Sequence, residues 1–408
     1  KASVDIKGGT PGRLNSVDAV NPDETKPKLI AAFAEDSLRV VLTFSEPLDS
    51  MKASFISGYQ ILNTNIHILN ANAITPDFNK VILTLSEPLE RNRVYEMSVN
   101  QLTDCIGNSI DNSINIKVGL SENPEPNDII INEILFNPKT GGYDYVELYN
   151  RSRKMINLKS LSIADHDMYN NVTDVSIVSD ENRLLMPGEY IVLTEGVKET
   201  MRDYFVPNTE LLIPMNQMPG LNDDEGCVLL FDANGTIIDH VKYNEHQHME
   251  LLDNVEGVAL ERMNPDITSD NSNNWHSASK TSGYGTPGYK NSQSFDASDN
   301  DNIFSVEPKV FSPDNDGRDD VLHIQYRVDV PETMISVRVF DLKGRCIAIP
   351  GAAILCGKEG TIFWDGMLSV HTRILPGIYV IHMEAIQKNG KKIISKKAFS
   401  VQIGRAHV

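Results

Sequence analysis

Short β-branched and aromatic runs, each closed by Gly, Pro, Asn or Asp, recur along the whole chain. Ile129-Ile130-Ile131-Asn132-Glu133-Ile134, Tyr190-Ile191-Val192-Leu193 and Val337-Arg338-Val339-Phe340 are three of them. Side chains branched at Cβ favour extended backbone, and the punctuating residues favour turns. Asp232-Ala233-Asn234-Gly235 lies between the apolar runs 228–231 and 236–238, a spacing that predicts a hairpin. Leu342-Lys343-Gly344 and Lys388-Asn389-Gly390 mark two more. No window of a dozen residues carries the apolar period of an amphipathic helix. The pattern therefore predicts an all-β chain whose many short strands pack as sandwiches or small barrels.

At 408 residues the chain is too long for one hydrophobic core. Two polar stretches read as joints: Ser121-Glu122-Asn123-Pro124-Glu125-Pro126-Asn127, and the segment from Asn291-Ser292-Gln293-Ser294 through 296–301. They predict domains at 23–120, 127–292 and 300–403. An internal repeat adds a fourth piece. Ala278-Ser279, Gly285-Thr286-Pro287-Gly288 and Asn291-Ser292 are matched by Ala2-Ser3, Gly9-Thr10-Pro11-Gly12 and Asn15-Ser16, at one constant offset without a gap. A lone G-T-P-G turn arises by chance, but the shared flanks argue for duplication. Residues 1–22 are accordingly expected to be the tail and linker of a preceding copy of the middle domain.

The formal net charge of −19 argues against a nucleic-acid partner, because phosphate binding needs clustered Lys and Arg. No apolar run is long enough for a membrane-spanning helix, so no membrane insertion is expected. Lys1 opens a polar, Gly-rich segment and not a secretion signal, and the chain is read as starting inside a larger protein. The four cysteines show no C-x-x-C spacing, which speaks against zinc or redox chemistry. Cys105 and Cys227 read as buried small hydrophobes. A disulfide between Cys346 and Cys356 stays an open alternative.

Residues 27–118 carry Leu42-Thr43-Phe44-Ser45-Glu46-Pro47-Leu48, Leu83-Thr84-Leu85-Ser86-Glu87-Pro88-Leu89 and a closing Asp104-Cys105-Ile106-Gly107-Asn108 turn. This domain resembles the bacterial Ig-like domains of S-layer and other surface proteins. Residues 127–292 carry Ile131-Asn132-Glu133-Ile134-Leu135-Phe136-Asn137-Pro138, Asp144-Tyr145-Val146-Glu147-Leu148-Tyr149-Asn150 and Leu185-Met186-Pro187-Gly188-Glu189-Tyr190. These look like a bacterial lamin-tail domain of Bacteroidetes type, with extra loops at about 165–183, 195–225 and 244–275. Residues 303–403 hold Val339-Phe340-Asp341-Leu342-Lys343-Gly344-Arg345, Trp364-Asp365-Gly366 and Leu375-Pro376-Gly377-Ile378-Tyr379-Val380. They are similar to Ig-like domains of the flagellar hook-cap type and to C-terminal modules of gliding and secreted proteins, some of which act as sorting signals. The three resemblances imply three tandem Ig-like sandwiches.

Glu46 and Glu87 share an S-E-P-L context that marks edge-of-strand turns, not an acid–base pair. Glu133 and Glu147 are the next carboxylates to weigh. An acid–base or metal pair would face each other from adjacent strands, whereas a structural Glu accepts backbone N–H bonds, and the structural reading is preferred. His246 and His248 could share one face of a strand, but no spacing fixes a third metal ligand, so a solvent-facing loop is preferred. The acidic loop Asp314, Asp316 and Asp320, with Gly317 at the turn, is the candidate calcium site and the sole cofactor expectation. Ser312 and His323 stand where the ligands at the ends of such a loop belong, and a metal-free Asx turn is the preferred alternative. Tyr169, Tyr204, Phe205, Met215 and Met218 in the long insertions form either a recognition surface or a cover for the open end of the sandwich.

No nucleophile elbow, H-E-x-x-H motif, phosphate loop or dinucleotide fingerprint is present. The chain is therefore expected to be no enzyme. Its expected role is as a structural scaffold or adhesion module, extracellular or at the outer-membrane surface, with a protein or glycan partner. The alternative is the accessory C-terminal region of a secreted nuclease or phosphatase.

Overall fold

Every second side chain of Arg39–Phe44 and of Lys80–Leu85 is buried, as a strand with one face on a core requires. The same economy runs through the whole chain, which a computed structural model describes at residues 24–110, 114–166, 171–250, 252–294, 303–314, 319–368 and 372–402. The chain divides into two compact units, Lys1–Ser121 and Glu122–Val408. The proposed repeat tail at 1–22 lies outside the described residues.

The first unit has strands Leu29–Asp36 (β1), Arg39–Phe44 (β2), Tyr59–Ile61 (β3), Ile68–Ala73 (β4), Lys80–Leu85 (β5), Tyr95–Val99 (β6) and Ile114–Val118 (β7). They form a four-stranded sheet, β1-β2-β5-β4, and a three-stranded sheet, β3-β6-β7. Val40, Leu42, Phe44, Leu83 and Met97 fill the core between them. Each S-E-P-L phrase ends a strand and drops its leucine, Leu48 or Leu89, into that core. Glu87 stays exposed. The closing turn is held by Asp104, whose Oδ1 accepts from the backbone N–H of Ile106, Gly107 and Asn108 at 2.9, 2.6 and 2.9 Å. Gly107 takes a φ of +107° there.

The second unit continues with Ile129–Leu135 (β8), Tyr145–Asn150 (β9), Ile156–Asn157 (β10), Leu161–His166 (β11), Val172–Ile177 (β12), Leu184–Leu185 (β13), Tyr190–Thr194 (β14), Leu212–Pro214 (β15), Glu225–Asp232 (β16), Ile237–Asn244 (β17), Leu260–Arg262 (β18) and Trp275–Ser277 (β19). A six-stranded sheet, β15-β14-β9-β8-β18-β19, packs on a four-stranded one, β12-β11-β16-β17. Between them lie Ile134, Phe136, Leu148, Leu193, Leu230 and Trp275. The insertions are more ordered than loops: 165–183 holds β12, 195–225 holds a short helix and β15, and 244–275 holds β18, which lies between β8 and the edge strand β19 of the larger sheet. Tyr204, Met215 and Met218 are core residues, so the recognition surface shrinks to Phe205, which is 68% exposed. Tyr169 lies outside the described residues.

A third sandwich follows, built from Ile303–Glu307 (β20), Val310–Phe311 (β21), Leu322–Arg327 (β22), Thr333–Asp341 (β23), Cys346–Cys356 (β24), Glu359–Trp364 (β25), Gly377–Ile386 (β26) and Lys392–Val401 (β27). Sheets β20-β22-β25 and β21-β27-β26-β23-β24 enclose Phe311, Trp364, Ile381 and Phe399. The three sequence-predicted hairpins are present as β16–β17, β23–β24 and β26–β27. The chain is thus all-β, three tandem sandwiches of Ig-like kind.

The cysteines partly depart from expectation. Cys227 is buried, but Cys105 is exposed, and all four thiols are free. Cys346 and Cys356 stand at opposite ends of β24, on the order of 30 Å apart at about 3.3 Å per residue, which no disulfide spans. Among the described residues no helix is long and apolar enough to cross a membrane.

Candidate functional site: a buried rung of glutamates

Glu147, Glu133 and Glu261 lie directly opposite one another across β9, β8 and β18: Glu133 pairs in register with Glu147 on one side and with Glu261 on the other. Alternation fixes the face they share. Ile134, Val146, Leu148 and Leu260 point into the sandwich core, so the three glutamates project from the opposite face of the sheet. None of the three is exposed. They are roofed by the segment 278–294, which runs across that face after β19, and by Tyr204 and Ala278 of a second apolar cluster that includes Leu135, Tyr145 and Val192.

Like charges directly across a sheet repel, so the rung needs donors and protons. Segment 278–294 supplies the donors. Thr286 N–H donates to Glu133 Oε1 at 2.9 Å and Gly288 N–H to Glu147 Oε2 at 2.6 Å. Gln293 N–H donates to Glu261 Oε2 at 2.8 Å. Tyr145 O–H adds a 2.5 Å bond to Glu133 Oε1, and Ser292 O–H reaches Glu261 Oε2 at 2.8 Å. Asn132 Nδ2 donates to Glu147 Oε1 at 2.8 Å and to Asn291 Oδ1 at 2.6 Å, which joins the rung to the far end of the segment. Desolvation favours the protonated carboxyl. Burial, together with the charge of Glu261, pushes the Glu133 carboxyl up to about 8. Burial and the charge of Glu133 raise Glu147 as well, and burial raises Glu261.

The G-T-P-G sequence is suited to this roof. A Cβ on Gly285 would lie 2.7 Å from both the Tyr145 hydroxyl and the Tyr204 ring, and Gly288 takes a φ of +87°. The arrangement joins both readings of Glu133 and Glu147. They face each other from adjacent strands, as a reactive pair would, but in each one oxygen is taken up by a backbone N–H and the other by a side chain, and both are closed off from solvent. Glu261 was missed because it belongs to a stretch read as a loop. The signal available was the apolar run Val258-Ala259-Leu260 ending in two charges.

Beneath the rung, Arg262 ties the two sheets together. Its Nη2 meets Asp239 Oδ2 at 3.1 Å, Nε donates to Ile131 O at 2.8 Å, and the guanidinium lies 5.0 Å from the Trp275 ring centre. Burial brings its pKa down to about 10, against the pull of Asp239. Beside the rung a cleft of about 260 Å³ opens between the sheet and the roof. Its walls include Tyr149 and Tyr190, stacked at 4.6 Å, with Lys290, Asn132 and Asn291.

The other candidates are scattered. His246 is exposed, but His248 is buried, 5.5 Å from the Phe136 ring, with Nδ1 3.0 Å from Ser277 Oγ. Burial lowers its pKa to about 4. His246 lies within the 3₁₀ turn Glu245–Gln247 and His248 caps its C-terminal end, so the two do not share the face of a strand. In the acidic loop, Ser312 Oγ donates to Asp314 Oδ2 at 3.2 Å, and Asp320 lines an open groove with Glu307 and His323. Asp316 and Gly317 lie outside the described residues. Among the described residues no group of three or more His, Cys, Asp or Glu is arranged to hold a metal.

No curated protein matches the chain. Among solved structures, the N-terminal part of the bacterial S-layer protein SbsC is 13% identical with a TM-score of 0.23, over 54% of this chain and 44% of that one. A DUF4876 family protein from Bacteroides thetaiotaomicron is 13% identical with a TM-score of 0.22, over 52% and 67%. Dimeric latent PorU from Porphyromonas gingivalis is 10% identical with a TM-score of 0.20, over 93% and 34%. The chain spans about half the length of the S-layer structures it matches. The match to a family is specific to one region: residues 122–245, which include Glu133 and Glu147 but end before Glu261 and the roof, match the Lamin Tail Domain family.

Proposed function

We propose that this chain is a non-catalytic, extracellular part of a bacterial surface protein, in which tandem sandwiches act as scaffold and binding module. One observation carries the reading: the best-placed carboxylates in the lamin-tail domain are sealed from solvent and committed to holding a segment of the fold. A group so committed positions backbone and has no access to substrate. The partner, protein or glycan, is assigned to the cleft beside the rung. Its stacked tyrosines offer a flat apolar wall, and Lys290 and Ser294 at its margin offer polar contacts to a ring bearing hydroxyls. The acidic loop of Asp314, Asp316 and Asp320 is proposed to take calcium; a calcium-dependent rise in Tm that vanishes in Asp316→Ala checks this.

Two measurements test the main reading. Antibody against the chain is expected to label intact cells of the source organism, and protease added outside is expected to remove it. Protection until lysis would overturn the surface assignment. A glycan array probed with the full chain is expected to give hits that Tyr149→Ala abolishes. Hits that survive Tyr149→Ala would move the partner away from the cleft.

A further inference from the structure

Two edge strands of the second unit carry opposite charge and leave backbone unpaired on one side. β12 ends the sheet β12-β11-β16-β17, and among the described residues it pairs with β11 alone. β27 runs beside β26 for ten residues without a register shift. On its other side β21 reaches Ser400 and Val401, which leaves 392–399 as an open edge. The two edges present different side chains. Val172, Val175 and Ile177 of β12 are 55%, 54% and 56% exposed. Asp174 is exposed among them, exposed Asp180 and Glu181 follow, and residues 171–182 hold no Lys or Arg. In β27 the exposed apolar side chain is Ile394, at 57%, and residues 388–397 hold five lysines and no Asp or Glu. Lys388 and Lys392 are paired with Glu332 and Glu384. Lys391, Lys396 and Lys397 are exposed, with no carboxylate at ion-pair distance among the described residues.

Open edges invite a further strand, and charges and bulges are the usual guards against it. Here each guard works against its own kind. Lysines set opposite lysines repel across a ladder, as carboxylates do opposite carboxylates. The bulge at Asp174, with φ +51°, spoils the match of β12 with a second β12. Neither guard opposes the other edge: carboxylates would meet lysines, and Val175 and Ile177 would meet Ile394. We infer that β12 of one copy of this chain docks along β27 of a second copy, with Asp174, Asp180 and Glu181 facing Lys391, Lys396 and Lys397. The contact joins two different surfaces, so the first copy keeps its β27 free and the second its β12. It therefore repeats into an open row of copies. This adds self-assembly to the scaffold role and uses neither the rung nor the cleft.

Light scattering of the full chain over a range of concentrations tests it. The mean mass is expected to climb past that of a dimer as concentration rises. Val175→Lys puts a cation on β12, and Lys396→Glu with Lys397→Glu reverses the charge of β27, all at exposed positions. Each variant alone is expected to stay a monomer with the Tm of the parent. An equimolar mixture of the two is expected to stop at a dimer, because the first still offers β27 and the second β12. Amide exchange in the parent needs no variant, and is expected to slow at 172–177 and 392–397 as concentration rises. A parent that stays monomeric up to its solubility limit overturns the inference, and so does one that stops at a dimer. Variants that assemble like the parent, or a mixture that stays monomeric while the parent assembles, place the contact elsewhere and overturn it too. Exchange unchanged in both strands of an assembling parent has the same consequence.

Discussion

A hydroxyl carries one hydrogen, yet Thr286 Oγ1 lies 2.7 Å from Glu133 Oε2 and 2.9 Å from Glu261 Oε1. It can donate to one of them, so the other contact needs a proton on the carboxyl. The geometry thus calls for a proton on Glu133 or Glu261, and burial favours one at Glu133, whose carboxyl is pushed up to about 8. The pH dependence follows. Between the ordinary value of 4.5 and about 8, the folded state keeps a proton that the unfolded chain has released. The stability from this group is complete below that window and is lost as pH rises through it. Tm is expected to fall across the window, and Glu133→Gln is expected to flatten the slope, since its amide carries a fixed hydrogen toward Thr286. Identical slopes for the two proteins would refute the shared proton. Thr286→Val removes the bridging hydroxyl and leaves buried carboxyl oxygens short of a donor, a cost of about 1–3 kcal/mol. A urea titration with a midpoint equal to the parent's would contradict it.

At the scale of elements, β18 does more than its three residues suggest. Leu260 enters the sandwich core, Glu261 completes the rung on the outer face, and Arg262 reaches Asp239 on the opposite sheet. Removing one partner of a buried ion pair strands the other, so Arg262→Met is expected to cost about 3–5 kcal/mol. Adding Asp239→Leu is expected to recover part of that loss, and a double-mutant cycle with no coupling would refute the staple. This strand is also where reading the sequence failed. Leu260-Glu261-Arg262 has no apolar alternation, because two of its three side chains are charged and both are buried by partners distant in sequence. The long strands were legible because each carries its own periodicity, as in Val40, Leu42 and Phe44. The G-T-P-G motif was legible as a repeat but not as a roof. Its function depends on Glu133, Glu147 and Glu261, which lie up to 153 residues away along the chain and meet it only in the fold.

At the scale of the molecule, the roof has a second side. Gln293 Nε2 donates to Ser277 O at 2.9 Å in the middle sandwich and to Cys356 O at 3.3 Å in the C-terminal one. Lys358 N–H donates to Ser292 O at 2.9 Å, and the hydroxyls of Thr281 and Tyr326 meet at 2.9 Å. Met249, Met334 and Leu355 form a small shared core beside them. Glu332, buried at this joint, lies 3.1 Å from His276 Nδ1 and 2.8 Å from Lys388 Nζ. Burial alone would raise its pKa, but the bonds and charges of His276 and Lys388 outweigh it and hold the carboxyl below its ordinary value. A lowered carboxyl stabilises the joint above the ordinary value of 4.5 and loses that contribution as pH falls through its own. Calorimetry of the full chain near pH 7 is therefore expected to resolve two transitions: one for Lys1–Ser121, and one in which both sandwiches of Glu122–Val408 melt together. Glu332→Ala takes the buried carboxylate away from His276 and Lys388 and is expected to split the second transition in two, with the same split appearing in the parent as acid protonates Glu332, at a pH below the ordinary carboxylate value. Three transitions in the parent at neutral pH would mean that the roof closes its own domain without coupling it to the next. A single melt that Glu332→Ala does not divide would move the coupling from this ion pair to the Met249–Met334–Leu355 core.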